Sequence, residues 1–342
     1  MQRIAFFEVE PWEREIFERE LGEFDVRFPE GQPRGVEDAE VLGADAISVF
    51  VGAKLEQSTL GRFPRLRLIS TRSTGFDHVD LAECARRGII VSNVPTYGSR
   101  TVAEFTFALL LALTRKLDKA IWRVRSTGSF ALEGLRGWDL CGKTLGVIGT
   151  GHIGKEVVRI ASGFRMQVLA TDVIPDFKFA EQLGFRYVAL DELLAGADAI
   201  TLHVPHLPET HHLLNRENLG KVKPGAVLIN TARGAVVETA ALIDALHQGR
   251  LAGAALDVLE EEGAIREERE LVLYGHPEQR QLRTILQNHV LMRMENVIVT
   301  PHNAFNTHEA LREIVRVTVE NIQGFFSSIP KNTVALPHAA TL

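Results

Sequence analysis

Short apolar runs alternate with stretches of helical spacing along nearly the whole chain, and no other feature narrows the fold as much. In the first hundred residues RIAFF (3–7), AISVFV (46–51), LRLIS (66–70) and GIIVS (88–92) read as strands, and 13–21 and 80–87 as helices. A second series follows: TLGVIG (144–149), QVLATD (167–172), AITLHV (199–204), AVLINT (226–231), LAGAALDV (251–258) and NVIVT (296–300). Strands apolar on both faces, separated by helices, predict parallel sheets covered by crossover helices. Between the two series, Ser99 to about Thr127 reads as one long helix, apolar at Val102, Phe105, Leu109, Leu110 and Leu113. Residues 307–326 read as a final helix, with Ala310, Ile314, Val317 and Ile322 on one face. The charged stretch 263–294 reads as a surface insertion. A chain of 342 residues exceeds what one core holds, so two α/β lobes are expected.

Charge and cysteine usage exclude several classes of function. A net charge of -6 gives no electrostatic reason to expect nucleic acid or an anionic membrane as partner. The apolar start RIAFF meets Glu8 and Glu10 at once, which rules out a signal-peptide core. The most apolar stretch, 105–114, is about half of what spans a bilayer. Two cysteines in no metal spacing, Cys84 and Cys141, fit a soluble protein of the reducing cytoplasm.

The strongest local signal is Gly149-Thr150-Gly151-His152-Ile153-Gly154, between the strand TLGVI and the helical pattern KEVVRIASGF. The first glycine permits a tight turn, the second lets backbone approach a pyrophosphate, and the third lets the helix pack close to the strand. The phosphates then meet the positive end of that helix. Asp172 ends the next strand, where a carboxylate accepts from ribose hydroxyls and repels a 2′-phosphate. No Arg or Lys follows at once in TDVIPDF, so NAD is expected over NADP.

Three further residues have the chemistry that reduction of a keto acid needs. Arg233 lies in NTARG just past a strand, on the sheet edge where ligands bind in such folds, and a guanidinium clamps a carboxylate with two bonds. His302 follows Pro301 at another strand end. Glu262 stands five residues past Asp257 in the run Glu260-Glu261-Glu262. Alone, each has an ordinary explanation: a loop arginine, a structural histidine, a solvated glutamate. Together they supply a cation for the carboxylate and an acid whose imidazolium a glutamate stabilises.

Several motifs in order carry a family resemblance over nearly the whole chain: TRSTGFDHVDL (71–81), VSNVPTYGSRTVAEF (91–105), GVIGTGHIGKEV (146–157), LHVPHLPETHHLLN (202–215), LINTARGAVVETAAL (228–242), AALDVLEEE (254–262) and TPHNAF (300–305). The chain resembles the D-isomer-specific 2-hydroxyacid dehydrogenases, and within them the D-lactate dehydrogenases. The resemblance implies an NAD-dependent enzyme that passes a hydride between NADH and a small 2-keto acid, with pyruvate and D-lactate favoured. It makes Arg233 the substrate clamp, His302 the acid/base and Glu262 its partner. Thr74 and Gly75 would offer N–H groups to the substrate carboxylate, and Tyr97 and Phe305 would line its pocket. Gly149, Gly151, His152, Ile153, Gly154, Asp172, His203, Val204, Pro205, Thr231, Ala232 and Asp257 would serve the cofactor.

The implied architecture is a Rossmann-type doubly wound domain over 99–298 and a smaller flavodoxin-like substrate domain of 1–98 and 299–342. The helix from Ser99 would help to build a homodimer. Where many relatives carry His after the Ala-Glu of VAE, this chain has Phe105, which puts one cofactor-side hydrogen bond in question. His203, His206, His211 and His212 show no zinc-type spacing, so no metal is expected. Hydroxypyruvate, glyoxylate and phenylpyruvate remain alternative substrates. Formate dehydrogenase-like chemistry is disfavoured, because there a glutamine holds the histidine. An NAD-responsive corepressor-like binding protein is the alternative of another class. The absence of long disordered flanks counts against it, and an NADH oxidation assay separates the two.

Overall fold

The computed structural model describes residues 1–262 and 279–336. Two compact units divide the chain: residues 1–97 with 307–342, and residues 98–306. The second boundary falls after Asn306, later than position 299, because the segment after the last strand is hydrogen-bonded to Asp257 of the larger unit.

The smaller unit is a parallel five-stranded sheet of order β2-β1-β3-β4-β5. Its strands are β1 (Arg3–Phe6), β2 (Asp25–Arg27), β3 (Ala46–Val49), β4 (Leu68–Thr71) and β5 (Ile90–Ser92). That order is the flavodoxin-like one. Helices α1 (Pro11–Glu20), α2 (Ala39–Leu42), α3 (Gln57–Gly61) and α4 (Leu81–Arg87) connect the strands. On one face Ile4, Phe6 and Leu68 meet Phe17 of α1 and Val315, Val319 and Ile322 of the final helix (His308–Phe326), with Phe6 stacked on Phe17 at 4.2 Å. The short strand β2 is half-buried throughout and too polar to stand out in the sequence.

The larger unit holds a parallel seven-stranded sheet: β6 (Thr144–Ile148), β7 (Gln167–Thr171), β8 (Arg186–Tyr187), β9 (Ala199–Leu202), β10 (Ala226–Asn230), β11 (Leu251–Leu256) and β12 (Val297–Val299). Its order, β8-β7-β6-β9-β10-β11-β12, reverses direction between β6 and β9. The glycine-rich turn leaves β6 at that switch point, where doubly wound sheets bind their ligands.

The expected single helix from Ser99 is two, α5 (Ser99–Thr114) and α6 (Leu117–Thr127). The Thr114 carbonyl accepts from Trp138 N, Lys116 adopts φ +51°, and Lys116 Nζ donates to Gly134 O. Gly137 fits against the Thr114 carbonyl so closely that any Cβ would collide with it. The helix stops where Trp138 N takes the Thr114 carbonyl. The expected insertion is partly helical, since Gln279–Arg293 forms α12, and 263–278 lie outside the described residues.

One buried cation organises the carboxyl edge of the smaller sheet. Arg72, 1% exposed, follows β4 and donates to Phe7 O and Glu8 O, both at 2.6 Å, and to Ser48 Oγ at 3.2 Å. Glu13 of α1 is its counter-ion at 3.8 Å. Burial pushes the Glu13 carboxyl up and Arg72 draws it down, with burial the larger effect. Removing one member of such a pair leaves a buried charge without compensation. Arg72→Met is therefore expected to cost about 3–5 kcal/mol, read as a lower urea midpoint for the first unfolding transition. An unchanged midpoint would show that the pair contributes nothing to this edge.

Candidate active site

The cofactor turn is built by three glycines, two of them at positions that no other residue could fill. Gly149 has φ +92°, and a Cβ there would lie 2.7 Å from His203 O and 2.8 Å from Val204 Cγ1. At Gly154 a Cβ would collide with the Gly149 carbonyl, whereas at Gly151 it would meet nothing within 4 Å. Gly151 precedes α7 (His152–Gly163), so a dinucleotide pyrophosphate can approach the backbone at the positive end of this helix. His152 is exposed and Ile153 packs into the core beneath the sheet.

Asp172 sits just past β7 with its carboxylate already oriented. Oδ2 accepts from Thr150 N (2.6 Å) and Thr150 Oγ1 (2.9 Å), and Oδ1 accepts from Ile174 N (2.9 Å). Burial alone would raise its pKa. The bonds from Ile174, Thr150 and Val173 outweigh burial and hold the carboxyl below the usual carboxylate range. Thr150 Oγ1 in turn lies 2.8 Å from the Tyr187 hydroxyl on β8. An ionised carboxylate here suits ribose hydroxyls and disfavours a 2′-phosphate.

Past β9, Thr201 Oγ1 lies 2.9 Å from His203 Nε2, and burial pushes the imidazole pKa down to about 3. His203 Nδ1 is buried without a partner among the described residues. Val204 packs on the core and exposed Pro205 begins the following loop. The cradle at Gly151, the oriented Asp172 and this polar nitrogen fit a bound dinucleotide.

Past β10, the Asn230 side chain clamps the turn, accepting from Ala232 N at 3.0 Å and donating to Arg233 O at 3.0 Å. Thr231 Oγ1 lies 3.0 Å from Thr106 Oγ1 of α5, with both residues buried. Phe105 packs against the core, and its neighbour Thr106 makes a polar contact to this loop. Arg233 is half-buried and donates to Ala232 O at 2.8 Å.

Past β11, Asp257 is fully buried. It accepts from Thr300 Oγ1 (2.5 Å), Asn303 N (2.8 Å) and Ala304 N (2.8 Å), and His302 N donates to its carbonyl (2.8 Å). Burial raises its pKa, a shift that these donors and the nearby His302 reduce without reversing. His302 is thereby held at φ +52°, a conformation costly for a non-glycine residue. Its Nδ1 lies 3.1 Å from Glu262 Oε1 and 3.2 Å from Oε2. The Phe305 ring stands edge-on to the imidazole, 6.5 Å between centroids.

The structure thus brings Asp257, Glu262, His302 and Phe305 together, with Arg233 on the neighbouring strand end. Thr74, Gly75 and Tyr97 belong to the smaller unit, after β4 and β5. There Ser73 Oγ donates to Gly75 O (2.6 Å), Thr74 Oγ1 to Val94 O (2.9 Å) and Asn93 Nδ2 to Thr74 O (2.8 Å). Sequence reading singled out neither Asn230 nor Tyr187. Asn230 was legible only as the last residue of a strand, and Tyr187 lies on a two-residue strand. Among the described residues, no group of three or more His, Cys, Asp or Glu is placed to hold a metal, and no helix is long and apolar enough to cross a membrane.

Comparison with known proteins gives the family of the chain. Residues 107–304 match the family described as D-isomer specific 2-hydroxyacid dehydrogenase, NAD binding domain. The chain is 39% identical to 2-hydroxyacid dehydrogenase homolog 1 of Schizosaccharomyces pombe, over 95% of this chain and 96% of that protein. It is 35% identical to a glyoxylate reductase of Thermococcus litoralis, over 96% and 91% of the two chains. A D-lactate dehydrogenase of Aquifex aeolicus, solved with NAD and lactic acid, superposes with TM-score 0.87 at 36% identity, covering 98% of this chain and 99% of that one. The chain belongs to the D-isomer-specific 2-hydroxyacid dehydrogenase family. It is an oxidoreductase with NAD as its cofactor.

Asp172 generates a test of cofactor choice. Wild type is expected to show much higher kcat/KM with NADH than with NADPH, and Asp172→Ala to narrow that ratio. Equal efficiency of the wild type with both would remove the role given to this carboxylate.

Proposed function

We propose that this dehydrogenase interconverts pyruvate and D-lactate, with His302 as the acid/base, Glu262 as its partner and Arg233 as the carboxylate clamp. The observation that carries the reading is the Glu262–His302 contact. The carboxylate takes Nδ1, which leaves Nε2 as the nitrogen that exchanges a proton with substrate. NADH, when bound, supplies the hydride to the carbonyl carbon. His302 gives its Nε2 proton to the carbonyl oxygen, and Glu262 stabilises the imidazolium before that transfer. Arg233 makes two charge-assisted bonds to the substrate carboxylate. Phe305, edge-on to the imidazole, supplies apolar surface for the substrate methyl group.

Lactic acid in the Aquifex aeolicus structure favours pyruvate as the keto acid. The likeness to a glyoxylate reductase supports glyoxylate as the second reading. Initial rates with pyruvate, glyoxylate, hydroxypyruvate and phenylpyruvate separate them: pyruvate is expected to give the highest kcat/KM, and a higher value for glyoxylate would replace the first reading with the second. The mechanism is tested by pH. Reduction needs protonated His302, so its rate falls as pH rises, and oxidation of the hydroxy acid shows the opposite limb. Glu262→Gln removes the negative charge beside Nδ1 and is expected to lower kcat for reduction by about 100-fold. An unchanged kcat would reduce Glu262 to an ordinary glutamate.

The homodimer is supported by α6 and the loop after it, where Trp122, Phe130 and Leu132 are 67%, 83% and 81% exposed. Large apolar side chains exposed together mark interaction surfaces. Light scattering is expected to give a dimer mass for the wild type, with Trp122→Asp and Phe130→Asp shifting it towards the monomer. A monomeric wild type would end the proposal.

A further inference from the structure

The three consecutive glutamates after β11 have three different surroundings. Glu261 is exposed and Glu262 faces His302, but the Glu260 side chain is only 12% exposed and is bonded on every side. Its Oε1 accepts from His212 Nε2 at 2.9 Å, and Oε2 accepts from Thr239 Oγ1 at 2.7 Å and Thr239 N at 3.3 Å. Its carbonyl accepts from Asn288 Nδ2 of α12 at 2.7 Å. One residue therefore ties the loop carrying Glu262 to α12, to the first turn of α11 (Thr239–His247) and to the loop holding His212.

His212 is fixed as firmly. Its N–H donates to Ala235 O at 2.8 Å, its ring stacks on His211 at 3.9 Å, and its backbone sits at φ +51°. Glu261, between the anchored Glu260 and Glu262, has φ +55°. Non-glycine residues persist in this region only where the surroundings over-determine them. The turn after Arg233 joins the same assembly, because a Cβ on Gly234 would collide with the backbone of Leu259 and Glu260.

We propose that Glu260, held by His212, is a positioning residue for the reaction, fixing the chain reversal that presents Glu262 to His302. The proposal rests on the acid/base reading of that pair. Burial would raise the Glu260 carboxyl, and the bonds from His212 and Thr239 outweigh it, so the anchor is ionised. An ionised anchor with three donors on its carboxylate fixes its loop more rigidly than packing alone, and small displacements of a catalytic group are costly in rate.

The test is a double-mutant cycle on the whole enzyme with pyruvate and NADH. Glu260→Gln is expected to lower kcat by about 10–100-fold, with the Kd for NADH from fluorescence titration unchanged within about twofold. In the Glu262→Gln background the same substitution is expected to cost less than about twofold, since the group it positions has already lost its function. Equal losses in both backgrounds would overturn the proposal. A Glu262→Gln enzyme with wild-type kcat would instead overturn the acid/base reading. If Glu260→Gln fails to fold, His212 carries the test. His212→Gln keeps a donor and is expected to hold kcat within about threefold, whereas His212→Leu loses about tenfold or more. Indistinguishable kcat values for these two variants would equally overturn it.

Discussion

The buried carboxyl group of Asp257 is the interaction on which the path of the chain through His302 depends. A carboxylate with no solvent exposure is costly unless its lone pairs are filled, and here Thr300, Asn303 and Ala304 fill them. Those three donors belong to the segment after β12, so satisfying the charge fixes the path of the chain through His302. The left-handed conformation of His302 follows from bonds on both sides of it. The side chain of Asp257 thus braces the histidine loop.

The parallel topology explains why so much chemistry gathers at one edge. Every strand of the seven-stranded sheet runs in the same direction, so all the carboxyl ends open on a single side. Gly149, Asp172, His203, Arg233, Asp257 and His302 follow β6, β7, β9, β10, β11 and β12 respectively. Strands buried on both faces set these positions, because their register is fixed by core packing. The loops between them then need only short-range fixation. Asn230 clamps its turn, Thr150 orients Asp172, and Glu260 ties its loop to three neighbours.

These short-range anchors escaped sequence reading for a common physical reason. Apart from Asn230, which bonds within its own turn, each is a polar residue whose partner lies far along the chain: Thr106 with Thr231, Thr150 with Tyr187, His212 with Glu260. Periodicity reports which face of an element is apolar, and motif spacing reports residues near one another in sequence. Neither reports which hydroxyl or imidazole will meet a given partner across the fold. A run of three glutamates reads as a solvated face, and only packing separates the anchored Glu260 from the exposed Glu261. The break at Lys116 was hidden in the same way, because the bond that ends α5 comes from Trp138.

The sequence by itself determined the class of fold, the glycine-rich cofactor turn and the family to which the chain belongs. Those depend on local information: apolar runs that must be buried, glycines that a turn requires, and short motifs in a fixed order. The observed strands coincide with every run singled out for its apolar residues, while the polar β2 and β8 were invisible. Tertiary structure alone decided how the functional side chains are held: Glu262 on Nδ1 of His302, Asp172 drawn towards Thr150, and Asp257 turned inward to the loop it supports. Each of these is a hydrogen bond between elements distant in the chain, and its geometry exists only once the sheet has brought their strand ends together.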